Sequence, residues 1–231
     1  MRREDEEGRA SDGDHAAADP GPRRAGARYD AAVRAGRPRD ARAHQAILDA
    51  TVALLESTGY ARITIEAIAA RAGVGKTTIY RRWRSKGPLI SEAISARLRL
   101  GPVPDTGDLR GDLGAFLSAV LAAFTTPAIG RSLPGLAGDL PDDADLAATL
   151  RSGIIDPERT IVTTILERAR ARGDLRPEAD PELVLDLLVG PMLWRALMTR
   201  EPLDATLCDR IVTHVTRAIS RTPTGDAPTA R

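Results

Sequence analysis

Apolar residues before residue 60 recur every three or four positions, which is the period of one buried helix face. This stripe consists of Ile47, Ala50, Thr51, Leu54 and Leu55. Gly59 follows the stripe, and glycine commonly ends a helix because it adopts a positive φ without strain. The pattern therefore predicts a first helix that stops at Gly59.

Three shorter helices are predicted after the first one. Thr64 is a good N-cap for the second helix, whose apolar face ends at Gly73. The third helix begins near Lys76, and Ser85 caps the fourth. Pro88 lies in the first turn of the fourth helix, where proline is tolerated.

Glycine and proline between residues 101 and 107 interrupt this pattern and mark a domain boundary. Later helices are predicted to begin at Asp156, Asp180 and Asp204, the first two with proline at the next position. The stretch from 126 to 141 is predicted to be interrupted by its glycine and proline residues. Strand patterns are essentially absent, so the predicted fold class is all-α.

The predicted organisation places two helical domains between two polar tails. Residues 1–38 show no helical or strand period and are predicted to form a disordered arm. The first helical domain covers residues 41–101, and the second covers residues 102–221. Residues 222–231 are predicted to form a second disordered tail.

The formal net charge of +1 conceals a strong asymmetry along the chain. Residues 23–99 carry 16 basic and 6 acidic side chains, whereas both flanking segments are net negative. Such a basic block is typical of a polyanion-binding surface, although a solvated basic face has the same composition. Six arginines between residues 23 and 39 form either a solubilising arm or an arm that reaches a groove of a nucleic acid.

The composition also bears on other classes of protein. No apolar run approaches the roughly 20 residues that span a bilayer, and the N-terminus lacks the apolar stretch of a secretory signal. Cys208 is the only cysteine, which suits a reducing cytoplasm. His15, His44 and His214 lie far apart, and no metal-binding or catalytic spacing is found. We therefore expect a cytoplasmic protein that is not an enzyme and uses no metal or cofactor.

The segment from Thr64 to Lys86 reads TIEAIAARAGVGKTTIYRRWRSK. Two short helices meet here at a turn that requires a positive φ, and Gly73 supplies it. Val74 and Ile79 are the apolar residues that join the two helices. The outward side of the second helix is then polar and basic, as in a recognition helix that enters the major groove of DNA.

Residues 41–101 resemble the DNA-binding domain of the TetR (tetracycline-repressor) family of transcriptional regulators. The matching features are the leading helix ILDATVALLESTGY, the segment IEAIAARAGV, the recognition helix IYRRW, and SKGPLI at the start of the fourth helix. The resemblance implies that Tyr80 and Lys86 contact phosphates and that Thr64 caps its helix against a phosphate. Gly75 stands where the family commonly has serine, so one side-chain cap is lost.

We predict an N-terminal three-helix DNA-binding domain with a helix-turn-helix at residues 64–83. Hydroxyl and cationic side chains on the recognition helix bond to phosphates and base edges. For Trp83, packing between helices is the favoured role and a phosphate contact is secondary. The predicted DNA-binding residues are Thr64, Lys76, Thr77, Thr78, Tyr80, Arg81, Arg82, Trp83 and Lys86.

The C-terminal domain is predicted to bind a small apolar ligand and to dimerise. Gly190 and Pro191 interrupt the helix that carries Trp194, and a kink there favours a ligand pocket, although core packing explains the same residues. The predicted pocket residues are Phe116, Val120, Phe124, Leu166, Leu188, Met192, Trp194 and Met198. The resemblance implies that the last two long helices form a four-helix bundle with a second copy, and a core within one monomer is the competing account. The predicted interface residues are Leu183, Leu187, Leu207, Ile211 and Val215.

Together these features give the hypothesis of a ligand-responsive regulator that binds a palindromic operator in double-stranded DNA as a homodimer. The sequence leaves open whether it is a repressor or an activator, and the resemblance favours a repressor. Two alternatives are a ligand-independent architectural DNA-binding protein on the same fold and an enzyme on a helical scaffold. A dry, fully packed C-terminal core would favour the architectural protein, whereas a ligand-induced shift in melting temperature would favour the sensor. No catalytic constellation supports the enzyme.

Overall fold

The computed structural model describes residues 23–98 and 101–221, with side chains described from residue 40 onwards. Within these ranges the chain is helical and forms no named β-strand. Leu175 and Ser220 make an isolated antiparallel bridge. The predicted all-α fold class is confirmed.

The described ranges contain ten α-helices and two π-helical turns. The α-helices are α1 (Arg23–Thr58), α2 (Ile65–Ala72), α3 (Lys76–Tyr80), α4 (Lys86–Ser95), α5 (Leu109–Phe124), α6 (Pro127–Asp139), α7 (Ala144–Leu150), α8 (Asp156–Arg172), α9 (Pro181–Trp194) and α10 (Ala205–Ile219). The π-helical turn Arg151–Ile155 joins α7 to α8, and the π-helical turn Arg195–Thr199 extends α9.

No single helix among the described residues is long and apolar enough to cross a bilayer. Helices α5 and α6 pass the length and composition criteria only as a pair, and they bend by 84° at their junction.

The first four helices enclose one apolar core. Its buried side chains include Ile47 and Leu55 of α1, Ile68 of α2, Ile79 of α3 and Leu89 of α4. Burying one side chain of this size stabilises the fold by roughly 1.5–3 kcal/mol. Apolar side chains of α6 and α7 join the same core, so the first four helices pack directly on the second half of the chain.

Helices α5, α8, α9 and α10 form a second apolar core. Phe116 and Leu117 of α5 share it with Ile165 of α8, Leu188 of α9 and Val212 of α10. Helix α5 packs extensively on α10 and also on α8. This core holds the helices that the sequence assigns to ligand binding and dimerisation.

The predicted cap at the start of α8 is wrong, whereas the one at the start of α9 is confirmed. Ile155 has helical angles (φ −67°, ψ −47°), and no side chain caps α8. The π-helical turn Arg151–Ile155 leads straight into Asp156, so the first N–H groups of α8 follow helical residues and need no side-chain cap. At α9, Asp180 Oδ1 accepts a hydrogen bond from the Glu182 N–H at 3.0 Å.

The stretch that was predicted to be interrupted, residues 126–141, contains the continuous helix α6 with Pro134 inside it. Leu136 is buried in the first core, and Gly135 lies directly against the Tyr60 ring. Tertiary packing therefore overrides the low helix propensity of glycine and proline in this segment.

Helix α1 begins at Arg23, so the prediction that residues 1–38 have no helical structure is wrong for residues 23–38. Alanine and arginine dominate that stretch and favour the helix. Extending an existing helix also avoids the cost of a new nucleus. The side chains of the arginine-rich arm, residues 1–22 and the tail 222–231 lie outside the described residues.

Candidate nucleic-acid interface

Helices α2 and α3 meet in a tight turn with the predicted geometry. Thr64 Oγ1 accepts a hydrogen bond from the Ala67 N–H at 3.2 Å, which confirms Thr64 as the N-cap of α2. Gly73 ends α2 in the left-handed region (φ 66°, ψ 33°), and its N–H bonds to the carbonyls of the last turn. Because a side chain disfavours this backbone conformation, glycine permits the sharp change of direction.

Apolar contacts fix α3 against α2. Ile79 is fully buried, Ala69 is almost fully buried, and Val74 is half-buried in the turn between the helices. Gly75 precedes α3 without a side-chain cap, as its identity predicts, and its carbonyl accepts from the Thr78 N–H at 2.9 Å. The α3 backbone is thus held by packing on one face, which leaves the opposite face outward.

The outward face of α3 and of the turn after it carries most of the predicted DNA-binding residues. Lys76, Thr77, Arg81 and Arg82 are exposed, and the Tyr80 side chain is 50% exposed. Thr78 is half-buried between this face and the core. An exposed tyrosine flanked by hydroxyls and cations presents hydrogen-bond donors toward solvent, which is the chemistry that binds phosphates and base edges.

Lys76 is held in place on this face by an acidic neighbour. Its Nζ lies 3.2 Å from Glu66 Oε1 in the first turn of α2. The pKa of the Glu66 carboxyl is lowered, first by a hydrogen bond from its own backbone N–H and then by Lys76. Both side chains are more than half exposed, so the pair is weak and a phosphate can replace the carboxylate.

Trp83 does not face the exposed side of α3. It is only 4% exposed, and its Nε1 donates to Glu92 Oε2 of α4 at 2.7 Å. The indole stacks on His44 of α1 with 5.5 Å between ring centroids, and His44 Nε2 lies 3.2 Å from the same Glu92 carboxylate. The predicted DNA contact of Trp83 is therefore wrong in this structure, because its only polar atom is engaged inside the domain.

Lys86 lies at the start of α4 and is half-buried. Its Nζ donates to the Tyr60 carbonyl at 3.1 Å and lies 4.4 Å from the Tyr60 ring centroid. An ammonium group has three donors, so this contact orients the cation and leaves further N–H groups for a phosphate.

Ser85 does not cap α4, contrary to the prediction. The α4 N-terminus has no side-chain cap, and Ser85 Oγ donates instead to Asp143 Oδ2 at 2.7 Å. This bond is the main cause that lowers the pKa of the Asp143 carboxyl. Asp143 in turn caps α7 through the Leu146 N–H at 2.9 Å. The start of α4 is therefore tied to α7.

Tyr60 forms a second tie between the DNA-binding helices and the rest of the chain. Its hydroxyl hydrogen-bonds to the Asp139 carboxylate at the end of α6. Burial, and next the bond to Asp139, raise the pKa of the Tyr60 hydroxyl above its ordinary value. Arg131 of α6 also donates to the Glu56 carbonyl of α1 at 2.7 Å.

Sequence reasoning missed these contacts. His44, Glu92 and Asp139 carry no motif, and Tyr60 reads as an ordinary apolar residue after a helix. Partners as distant in sequence as Tyr60 and Asp139 leave no local periodicity that a single chain could reveal.

The predicted ligand-pocket residues lie in different environments. Buried in the second core are Phe116, Val120, Leu166, Leu188 and Met192. Phe124 is half-buried, whereas Trp194 and Met198 are 58% and 66% exposed. The helices that carry these residues pack closely and turn Trp194 and Met198 outward, so the ligand pocket beside Trp194 stays a prediction.

The predicted dimer residues divide into two groups. Leu183 and Leu187 of α9 are exposed. Leu207, Ile211 and Val215 of α10 are buried in the second core, so their assignment to a dimer interface is wrong. The physical reason is that α10 turns its apolar stripe toward α5 of the same chain.

A tight two-helix turn, a packed inner face and an exposed basic outer face define a helix-turn-helix DNA-binding protein. Residues 47–93 match the family model for bacterial regulatory proteins of the tetR family, and residues 103–215 match the tetracyclin repressor-like C-terminal domain. The first match contains the helix-turn-helix, and the second covers most of the second core.

Full-length relatives agree with these matches. The chain is 34% identical over 189 residues to the uncharacterized HTH-type transcriptional regulator YdeS of Bacillus subtilis (strain 168), which covers 81% of this chain and 94% of the relative. It is 32% identical over 179 residues to the DNA-binding transcriptional repressor TetR of Mycobacteroides abscessus, with 76% and 93% covered.

Among solved structures, the TetR family transcription regulator SCO0332 is 36% identical to this chain. The TM-score is 0.63, with 76% of this chain and 97% of that one covered. The chain belongs to the TetR family of transcriptional regulators and is a DNA-binding regulator rather than an enzyme.

Proposed function

We propose that the chain is a repressor that binds a palindromic operator as a homodimer and releases it when a small molecule binds. The exposed cationic face of α3 carries this proposal. The similarity to a protein named a DNA-binding transcriptional repressor supports the sign of regulation.

We assign the DNA contacts to the exposed residues of the helix-turn-helix. Lys76, Thr77 and Thr78 lie at the N-terminal end of α3, which is the end that reaches base edges in this motif. Tyr80 and Lys86 bind phosphates, as does the Thr64 hydroxyl beside its capped turn. The exposed guanidinium groups that complete this surface are those of Arg81 and Arg82. Trp83 does not contact DNA in this proposal and instead holds the end of the recognition helix against the core.

We place the dimer interface on an apolar stripe along α9 and the π-helical turn after it. Leu183, Leu187, Trp194 and Met198 are exposed apolar side chains that recur every three to four or seven positions. Large exposed apolar side chains in a row mark protein–protein contacts. A symmetric dimer through this stripe would present two copies of α3 to successive turns of one groove.

Selection of bound sequences from random duplex DNA with the full chain tests this function. We expect an enriched site with two inverted half-sites about one helical turn apart. A duplex with one half-site scrambled should then bind more weakly than the intact palindrome. Enrichment of no sequence, or of a site without inverted symmetry, would contradict the proposal.

The close packing of the second core favours one other candidate, a ligand-independent DNA-binding protein on the same fold. Most of the predicted pocket residues are buried against each other and leave little room for a ligand among them. A rise in melting temperature with a small molecule separates the two candidates, because a ligand that binds only the folded state must stabilise it.

A further inference from the structure

A cavity of about 480 Å³ lies between the end of α1, helix α6 and the π-helical turn after α9. Its apolar lining includes Pro134 of α6 and Ala196 and Leu197 of the turn. Tyr60 also lines it, at the loop that leads into α2. Small-molecule sites have volumes of roughly 300–1,000 Å³, so the cavity is large enough for an effector.

Two arginines line this cavity, and no acidic residue does. Arg131 donates through Nη1 to the Glu56 carbonyl at 2.7 Å, which leaves its other N–H groups for a ligand. The Arg200 guanidinium has no hydrogen bond or ion pair to any residue that the structure describes. The charge of the lining is therefore complementary to an anion.

The backbone of Arg200 supplies an independent observation. It has φ 55° and ψ 30°, and among the described residues it is the only one other than glycine with a positive φ. Its N–H donates to the Arg195 carbonyl at 2.7 Å and so closes the π-helical turn. A side chain disfavours this conformation, and such strained positions and π-turns concentrate at functional sites.

We propose that this cavity binds a small apolar molecule that carries a carboxylate and that this molecule is the effector of the repressor. The inference rests on the proposed function. The planar guanidinium of Arg200 pairs with the carboxylate, because its N–H groups match two carboxylate oxygens at once. The apolar body of the ligand lies on Pro134, Ala196 and Leu197.

Tyr60 connects the occupant to the DNA-binding surface. Tyr60 lines the cavity, and its hydroxyl hydrogen-bonds to Asp139. Its backbone carbonyl accepts a hydrogen bond from Lys86 Nζ. A ligand that shifts Tyr60 therefore shifts the partner that orients Lys86. Because coupling between two sites is reciprocal, the carboxylate should weaken DNA binding and DNA should weaken carboxylate binding by the same factor.

Isothermal titration calorimetry of the full chain without DNA tests the site. The probes are decanoate, 4-phenylbutyrate and 2-naphthylacetate, each compared with its neutral amide. We expect at least one carboxylate to bind, and to bind about tenfold or more tightly than its amide. Absence of binding by all three carboxylates at millimolar concentration would overturn the proposal.

Arg200→Asn is the sharpest variant, because asparagine tolerates a positive φ while it removes the charge. We expect it to lower carboxylate affinity about tenfold or more and to leave amide affinity unchanged. The matched control is Arg151→Asn, which removes an exposed arginine from the other π-helical turn and should change neither affinity. Equal carboxylate affinity in Arg200→Asn and the wild type would overturn the role of Arg200.

Fluorescence anisotropy on the selected duplex measures DNA binding separately. At a carboxylate concentration that occupies most of the wild type but little of Arg200→Asn, duplex affinity should fall in the wild type and change much less in the variant. Duplex binding that ignores a bound carboxylate would overturn the effector role and leave the DNA-binding function intact. Failure to bind any duplex without ligand would instead contradict the proposed function.

Discussion

At the scale of single residues, we expect Trp83 to stabilise the fold and Tyr80 to contact DNA. They are three positions apart, yet Trp83 is buried with its N–H on Glu92 while Tyr80 is half-exposed. The sequence of the motif does not distinguish an aromatic residue that packs in the core from one that contacts DNA. Their environments therefore predict opposite phenotypes for two conservative substitutions.

Trp83→Phe should destabilise the protein by about 2 kcal/mol, because it removes the indole donor and leaves Glu92 without that partner. Tyr80→Phe should change stability by less than about 0.5 kcal/mol, since the Tyr80 side chain is exposed. Tyr80→Phe should instead weaken duplex binding. Urea unfolding and fluorescence anisotropy measure the two effects, and a larger loss of stability in Tyr80→Phe would refute the assignment.

Glu158 is a buried acid on the core-facing side of α8, 8% exposed, and burial raises its pKa from 4.5 to about 7. Between those pH values the folded chain holds a proton that the unfolded chain has lost. Stability contributed by this group is therefore present below pH 4.5 and is lost as the pH rises to about 7.

Glu158→Gln should remove this pH dependence and stabilise the protein at pH 8 by the order of 2 kcal/mol. The matched control is Glu167→Gln, on the exposed side of the same helix, which should leave the profile unchanged. Urea unfolding at pH 5 and pH 8 measures both variants. If the free energy of unfolding of Glu158→Gln still fell between pH 5 and pH 8 as in the wild type, another group would be the cause.

At the scale of elements, two of the three glycines in α6, Gly135 and Gly138, have opposite surroundings. A Cβ built on Gly135 would lie 2.1 Å from Tyr60 Cδ1, whereas one on Gly138 would meet nothing within 4 Å. Helix α6 therefore needs glycine at position 135 to pack closely against Tyr60, whereas position 138 can accept a larger residue.

Gly135→Ala should destabilise the protein by about 1–3 kcal/mol, because the rigid Tyr60 ring cannot yield without moving its contacts. Gly138→Ala should stabilise it by up to about 1 kcal/mol through helix propensity alone. Thermal unfolding followed by circular dichroism compares the two. Equal effects would contradict the close packing of α6 on Tyr60.

Elements with local signals could be predicted from the sequence, whereas those held by distant contacts could not. Thr64, Gly73 and Asp180 act within a few residues of themselves, and all three have their predicted roles. Helix α6 exists in spite of its composition, because contacts from distant residues support it. The period of α10 revealed its apolar face but not that α5 covers it.

At the scale of the whole molecule, the dimer proposal depends on one exposed apolar stripe. Leu187→Glu places a charge within it and should convert a dimer into a folded monomer, because burying an unpaired carboxylate is costly. The matched control is Leu140→Glu, another exposed leucine that lies outside the stripe. Sedimentation velocity should show a monomer only for Leu187→Glu, and a wild-type monomer at micromolar concentration would contradict the proposal.

The sequence predicted which part of the chain binds DNA, but it did not predict the hydrogen bonds that tie this part to the later helices. Charge asymmetry and the helix-turn-helix motif identified the DNA-binding end. The ties from Ser85 to Asp143 and from Tyr60 to Asp139 join residues far apart in the chain. These contacts exist only after folding, so the structure was needed to find them.

The salt dependence of duplex binding by the full chain tests most directly whether the outward face of α3 binds DNA. We predict that Lys76→Ala with Tyr80→Ala lowers affinity for the selected duplex at least tenfold and that the magnitude of the slope of log K against log salt falls by about one. Arg151→Ala, outside this face, should change neither quantity. Unchanged affinity and slope in the double variant, with its fold intact, would contradict the account.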